Sequence, residues 1–312
     1  MLPSGSGFTI AWMEFENGGV RTLFSRLDAA LNHGTPVVLM TSGDAAAVKA
    51  PVVVRSGVST WITVASRFWK ILPDGSLDEP LEAGVAASDM IANGPMPRLV
   101  GATKPFAADQ CMQSPGCRAI GGPFNGLCYA SCVIHVQLGY GLRLMAPFAA
   151  FGGPSFHEES DAQPAIQSDG RDLLIAWYLG AEARGGSVVV NRLTEQSLGA
   201  FEAMAANPRQ IGFFAPESGA VRPDIATDGE RYLVVWQTKR GLAEHDIEAA
   251  VIERDGTVTP LTIASSADDE RQPSVISTRR GAFLVAYEKI SRTDRRIAGR
   301  LVTFDERRRA VR

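Results

Sequence analysis

Pro223-Asp-Ile-Ala-Thr-Asp-Gly-Glu-Arg-Tyr-Leu-Val-Val-Trp236 is the stretch that decides the fold. Pro223 to Thr227 reads as a short strand that opens on proline, where a missing N–H is tolerated. Asp228-Gly229 reads as a hairpin turn, because glycine accepts positive φ at little cost. Tyr232-Leu-Val-Val-Trp236 is β-branched and aromatic without a break, which suits a strand buried on both faces. Downstream, Ile247-Glu-Ala-Ala-Val-Ile252 reads as a third strand although its alternation is less clear. Asp255-Gly256 is another turn and Val258 to Ile263 a fourth strand. Four short strands joined by tight turns make one antiparallel blade, which needs neighbours on both faces.

The pattern recurs. Pro164-Ala-Ile-Gln-Ser-Asp-Gly-Arg-Asp-Leu-Leu-Ile-Ala-Trp177 and Pro273-Ser-Val-Ile-Ser-Thr-Arg-Arg-Gly-Ala-Phe-Leu-Val-Ala-Tyr287 repeat it closely. Upstream, Phe8-Thr-Ile-Ala-Trp12 aligns with Tyr232 to Trp236, and Ser4-Gly5 with Asp228-Gly229. Pro51-Val-Val-Val-Arg-Ser-Gly57 with Thr60-Trp-Ile-Thr-Val64 opens another copy, with Pro73-Asp-Gly75 as a turn and Ala65 where other copies carry Trp or Tyr. Pro97-Arg-Leu-Val100 opens one more. A period of roughly 50 residues signals a propeller, solenoid or array. The expectation is an all-β chain, a β-propeller of about six four-stranded antiparallel blades with the first and last incomplete. The first copy is expected to lack its first strand and the last to stop near its third. These gaps do not add up to ring closure, so residues 1–312 are read as a single propeller domain that is a fragment or starts at an internal Met. An open ring of five full blades is the alternative.

The chain is 312 residues long, 45% hydrophobic and 21% charged, with net charge −3. This fits one ordinary globular domain and argues against a polyanion-binding field. Ten arginines lie between Arg279 and Arg312. No aromatic residues interleave with them as a nucleic-acid stacking surface needs, so they read as a solvated tail and charged edge strands, and no nucleic-acid partner is expected. No apolar run is long enough for a transmembrane helix. Met1-Leu-Pro-Ser-Gly-Ser-Gly carries no visible signal peptide. A monomer is expected.

All four cysteines, Cys111, Cys117, Cys128 and Cys132, fall in a Gly/Pro-rich insertion at 103–132. Their spacing is C-x5-C-x10-C-x3-C, and only the last pair has zinc-type spacing. Disulfides are the preferred reading, before free thiols or a metal. They would imply an oxidising compartment, and four cysteines allow three pairings.

Candidate chemistry is sparse. His157-Glu-Glu-Ser-Asp161 is the most concentrated polar cluster, and His157, Glu158, Glu159 and Asp161 are candidate ligand residues. Against this, the segments before Pro223 and Pro273, including Asp268-Asp-Glu-Arg-Gln272, are polar as well, as blade connectors would be. Asp169 and Asp228 read as turn residues. Trp12, Trp177, Trp236 and Tyr287 read as packing between blades, and His135 as a packed strand residue. No phosphate loop, dinucleotide fingerprint, nucleophile elbow or H-E-x-x-H is present, so neither a cofactor nor a metal is expected.

The repeat P-x-I-A-x-D-G-x-x-Y-L-V-V-W, followed by D-I-x-A-x-V and D-G, resembles the blades of large bacterial secreted or surface propeller proteins, many of them lipoproteins. The resemblance is strong over residues 164–305 and weak over 1–100. It implies a β-propeller in an extracytoplasmic setting and no particular activity. Sialidase propellers carry an S-x-D-x-G-x-T-W box; Ser56-Gly-Val-Ser-Thr-Trp61 is only superficially similar and lacks the aspartate. Two readings follow. The first is a non-catalytic binding module for a protein or carbohydrate. The second is a carbohydrate-active propeller hydrolase or lyase, sialidase-like or a related glycosidase. Carboxylates and a His or Arg converging from three or more blades would favour the second.

Overall fold

A computed structural model describes residues 2–4, 7–16, 19–32, 34–43, 50–56, 59–82, 87–93, 96–102, 106–107, 129–130, 133–137, 164–181, 185–194, 209–215, 223–241 and 244–304. The described residues form strands and turns and contain no helix. The fold is all-β and of the β-propeller class. The chain divides into two compact units, Met1–Thr103 with Val133–Pro147, and Lys104–Cys132 with Phe148–Arg312.

The first unit holds three sheets. The first blade is β1 (Leu2–Ser4), β2 (Gly7–Glu16), β3 (Gly19–Leu27) and β4 (Val37–Ser42), in that spatial order. Its first strand is therefore present, contrary to expectation, as three residues paired with Gly7 to Thr9. The second blade is β5 (Val52–Ser56), β6 (Ser59–Val64), β7 (Arg67–Ile71) and β8 (Leu81–Glu82). Ala65 is not a strand residue: its φ is 51° and it makes the tight turn after Val64, which pairs with Arg67. The hairpin here is too short to reach the position where other copies carry the aromatic.

The third blade is β9 (Ala87–Asn93), β10 (Met96–Ala102) and, after a further short pair β11 (Phe106–Ala107) with β12 (Tyr129–Ala130), β13 (Val133–Gln137). Its order is β13-β10-β9. Pro97 therefore lies in the second strand of this copy and does not open its first. It pairs with Ala92 on β9, while pairing with β13 begins only at Arg98. Its missing N–H thus falls outside the β13 ladder.

The second unit holds the repeat in its clearest form. The fourth blade is β14 (Ala165–Ser168), β15 (Asp172–Ala181), β16 (Gly185–Thr194) and β17 (Arg209–Phe214). The fifth is β18 (Asp224–Thr227), β19 (Arg231–Arg240), β20 (Glu244–Glu253) and β21 (Val258–Ala264). The sixth is β22 (Asp269–Arg279), β23 (Ala282–Ile290) and β24 (Arg295–Thr303). The first strands follow Pro164 and Pro223 directly. Pro273 instead lies within β22, at a bulge between Arg271 and Ser274 beside Gln272 at φ 51°, which absorbs the absent donor.

Arg231 to Gln237 are all buried, as the unbroken apolar run requires. One face of β19, with Tyr232, Val234 and Trp236, packs on Leu174, Ala176, Val188 and Val190 of the fourth blade. The other, with Leu233 and Val235, joins Ile247, Ala249 and Val251 against Val275, Phe283 and Val285 of the sixth. Each large side chain so buried contributes about 1.5–3 kcal/mol. Polar ties fix the stacking. Trp236 Nε1 donates to Phe213 O at 3.1 Å. Asp224 Oδ2 accepts from Val275 N at 2.8 Å and Ser274 Oγ at 2.9 Å.

Candidate functional site

The two ends of the blades differ chemically. At one end lie the tight turns, and their polar groups recur from blade to blade. Asp169 Oδ1 accepts the N–H groups of Arg171 and Asp172, and Asp228 Oδ1 those of Glu230 and Arg231. Gly170 and Gly229 sit at φ 88°, where a Cβ would be strained. The Tyr232 hydroxyl donates to Asp172 O and accepts from Asp169 N, both at 3.1 Å, tying the fifth blade to the turn of the fourth. Burial foremost, then the nearby Asp169 charge, hold its pKa well above 10.0. Asp228 Oδ2 accepts from Gly281 N and ties the fifth blade to the sixth. These aspartates are turn residues, as expected.

At the opposite end, the end of β19 and the start of β20 lie beside the connector from β21 to β22. His245 Nδ1 lies 2.8 Å from Asp269 Oδ1, which also accepts the His245 backbone N–H at 2.9 Å. Arg271 Nε lies 2.6 Å from Asp269 Oδ2. Glu270 is wholly buried and stands opposite Lys289 in the ladder. Lys289 Nζ lies 3.5 Å from Glu270 Oε1, 3.2 Å from Asp268 Oδ2 and 3.0 Å from Ser266 Oγ. Ser266 Oγ donates to Glu270 Oε1. The Asp268 hydrogen bond, ahead of the opposing desolvation, raises the Lys289 pKa above 10.5, so the ammonium is charged.

On the other face of β20, Asp246 and Glu248 share one side of the strand. Asp246 Oδ2 accepts from Ser265 Oγ at 3.1 Å, and Arg240 Nη1 lies 3.4 Å from its Oδ1. Glu248 accepts from Thr262 Oγ1 at 3.2 and 3.3 Å. Burial raises the Glu248 pKa above 4.5, the Thr262 hydrogen bond opposes this, and the Asp246 charge adds to it.

Neither His245 nor Glu248 belongs to the repeat. In register, His245 stands where the other copies have Val20, Gly186 and Arg295. Glu248, opposite Trp236, stands where they have Leu23, Val189 and Ala298. Blade geometry asks for an apolar residue there. The interrupted alternation of Ile247 to Ile252 was the visible sign of it. Because ionising Glu248 is disfavoured in the folded state, Glu248→Gln should raise the melting temperature at neutral pH by about 1–3 °C. The gain should appear as pH rises through the raised folded-state pKa and be absent below 4.5. Thermal melts of both proteins across acid pH check this.

The other sequence candidates fall as follows. His157, Glu158, Glu159 and Asp161 lie outside the described residues, as do Cys111, Cys117, Cys128 and Cys132. Trp177 and Trp236 are buried, and Trp236 joins the packing between blades, while Trp12 and Tyr287 are half-buried. His135 lies in β13, paired with Val100. Among the described residues, no group of three or more His, Cys, Asp or Glu side chains is placed to hold a metal ion. None of them forms a helix long and apolar enough to cross a membrane.

No protein-family model matches the chain, and no curated protein matches its sequence. Solved structures do resemble it. The hemagglutinin-neuraminidase of parainfluenza virus 5 with ligand DANA aligns with TM-score 0.46 and 8% identity, over 96% of this chain and 88% of that one. The xylan β-1,4-xylosidase of Bacillus halodurans C-125 aligns with TM-score 0.42 and 12% identity, over 82% of this chain; the match spans about half, 53%, of the xylosidase. An endo-arabinase from Bacteroides thetaiotaomicron VPI-5482 aligns with TM-score 0.37 and 14% identity, over 96% and 90% of the two chains. Likeness at this level assigns no residue a role and names no reaction for this chain.

Proposed function

We propose that this chain is a β-propeller binding module of an exported protein, directed at a polyhydroxylated, carbohydrate-type ligand. The observation that carries this reading is the unrepeated polar network at the connector end of the fifth and sixth blades. There, Asp246 and Glu248 share one face of β20, with Arg240 beside Asp246, and His245 and Arg271 meet Asp269 on its other face. Carboxylate acceptors beside guanidinium donors match the paired hydroxyls of a sugar, and the turn end uses its polar groups to hold blades together. Among the described residues the network draws on two blades. A panel of immobilised oligosaccharides tests it. The wild type should retain at least one glycan class, and Asp246→Asn combined with Glu248→Gln should weaken retention about tenfold, near 1.4 kcal/mol. Failure to retain any glycan overturns the reading.

A hydrolytic reading has one observation in its favour. Glu248 is held toward its protonated form while Asp246, on the same strand face, lies beside the Arg240 guanidinium. Two carboxyls in unlike surroundings are the pairing that glycoside cleavage uses. Reducing-sugar release from the same glycans separates the two readings. On the hydrolytic reading, Glu248→Gln lowers turnover about a hundredfold or more; retention without release leaves the binding module.

The exported setting rests on the cysteine cluster, proposed as two disulfides among Cys111, Cys117, Cys128 and Cys132. Thiol titration of the denatured, unreduced protein should then find no free cysteine, and four titrating thiols would contradict it.

A further inference from the structure

Gln237 follows Trp236 on β19, where the other blades carry Met13, Tyr178 and Glu288. It is buried, at 4% exposure. Its side chain shares the strand face of Leu233 and Val235, the face that meets the sixth blade. There its Oε1 accepts the Gln272 N–H at 2.8 Å. Burying a carboxamide costs free energy unless it is hydrogen-bonded, and an apolar side chain would pack at this position without that cost.

The backbone group it holds is in an unusual place. Pairing between β22 and β23 breaks between Arg271 and Ser274, so the Gln272 N–H lies at the bulge, outside the ladder. Gln272 sits at φ 51° and precedes Pro273. Positive φ is unfavourable for a residue with a Cβ, and a following proline ring favours extended backbone instead. Among the described residues of the second unit, every other residue at positive φ is a glycine. Strain of this kind persists only where the surroundings hold it, and it gathers at sites that use the geometry. Gln272 directly follows Arg271, which meets Asp269, and Asp269 Oδ1 accepts the His245 backbone N–H. A bulge at this point sets where the start of β22 is aimed.

We propose that Gln237 is a positioning residue: by holding the Gln272 N–H it fixes the bulge that aims Asp269 and Arg271 at His245. This deepens the carbohydrate reading and, for its effect on ligand, rests on it. Hydrogen exchange of the full chain, read residue by residue by NMR, tests the positioning without ligand. Gln237→Met keeps the length of the side chain, removes the acceptor and matches Met13 of the first blade. The His245 amide, which donates to Asp269, should then exchange about tenfold faster while the Leu233 and Val235 amides stay unchanged. Adding Gln272→Gly should restore slow exchange at His245, because glycine takes positive φ without being held there. On the immobilised oligosaccharide panel, Gln237→Met should lower retention about tenfold and the double variant should recover it. Leu233 and Val235 amides that quicken in step with His245 would make Gln237 a residue of general stability and overturn the proposal. An unchanged His245 amide, a double variant no slower than Gln237→Met, or retention that Gln237→Met leaves intact would overturn it as well. If the amides behave as predicted and the wild type retains no glycan, the carbohydrate reading fails and the positioning stands.

Discussion

Gly212→Ala is expected to destabilise the second unit by about 2–3 kcal/mol, the upper range for overpacking a filled core. A Cβ at this position would stand 2.3 Å from Cζ2 and 2.8 Å from Cη2 of Trp236. The indole has no room to withdraw. It is 3% exposed, packed among the residues shared by the fourth and fifth blades, and pinned by its Nε1 hydrogen bond to Phe213 O. The cost should be coupled to the ring: Trp236→Leu alone destabilises, but adding Gly212→Ala to it should cost little more. A double-mutant cycle in urea checks this. Additive losses would show that the glycine is there for backbone reasons and that the close approach of ring to strand is not the constraint.

The second large effect is at Glu270. Lys289→Met should cost about 3 kcal/mol, because it leaves a wholly buried carboxylate without its cation. Glu270→Leu combined with Lys289→Met should recover most of that loss, since a buried ion pair gains little over apolar residues of similar volume. Lys289 is held above its ordinary value of 10.5, so its contribution is complete below that pH and lost as pH rises through the folded-state value. The melting temperature of the wild type should therefore fall more steeply at strongly alkaline pH than that of the double variant. Equal slopes would contradict the pairing.

The fifth blade was legible in the sequence because every local signal agrees there. Asp228-Gly229 and Asp255-Gly256 mark turns, Tyr232 to Trp236 is unbroken, and the strands fall where these residues place them. Proline was the less reliable marker. It stands just before the first strand at Pro164 and Pro223, but within β10 at Pro97 and at a bulge at Pro273, because any ladder position without a partner accepts it. The candidate site was mostly illegible. His245 and Asp269 meet across 24 residues of chain with no periodic signal. Asp268 to Gln272 looked like one more polar connector, and only the register shows that the residue opposite it is unlike its counterparts. Glu248 broke an apolar alternation, which without register looks like an imperfect strand.

The central claim is that the connector end of the fifth and sixth blades holds ligand and the turn end holds blades together. Amide hydrogen exchange of the full chain, with and without a retained oligosaccharide, tests it most directly. The predicted result is ligand-dependent protection confined to residues 240–248 and 265–271. Protection at the turns 228–231 and 254–257, with the connector end unchanged, would contradict it.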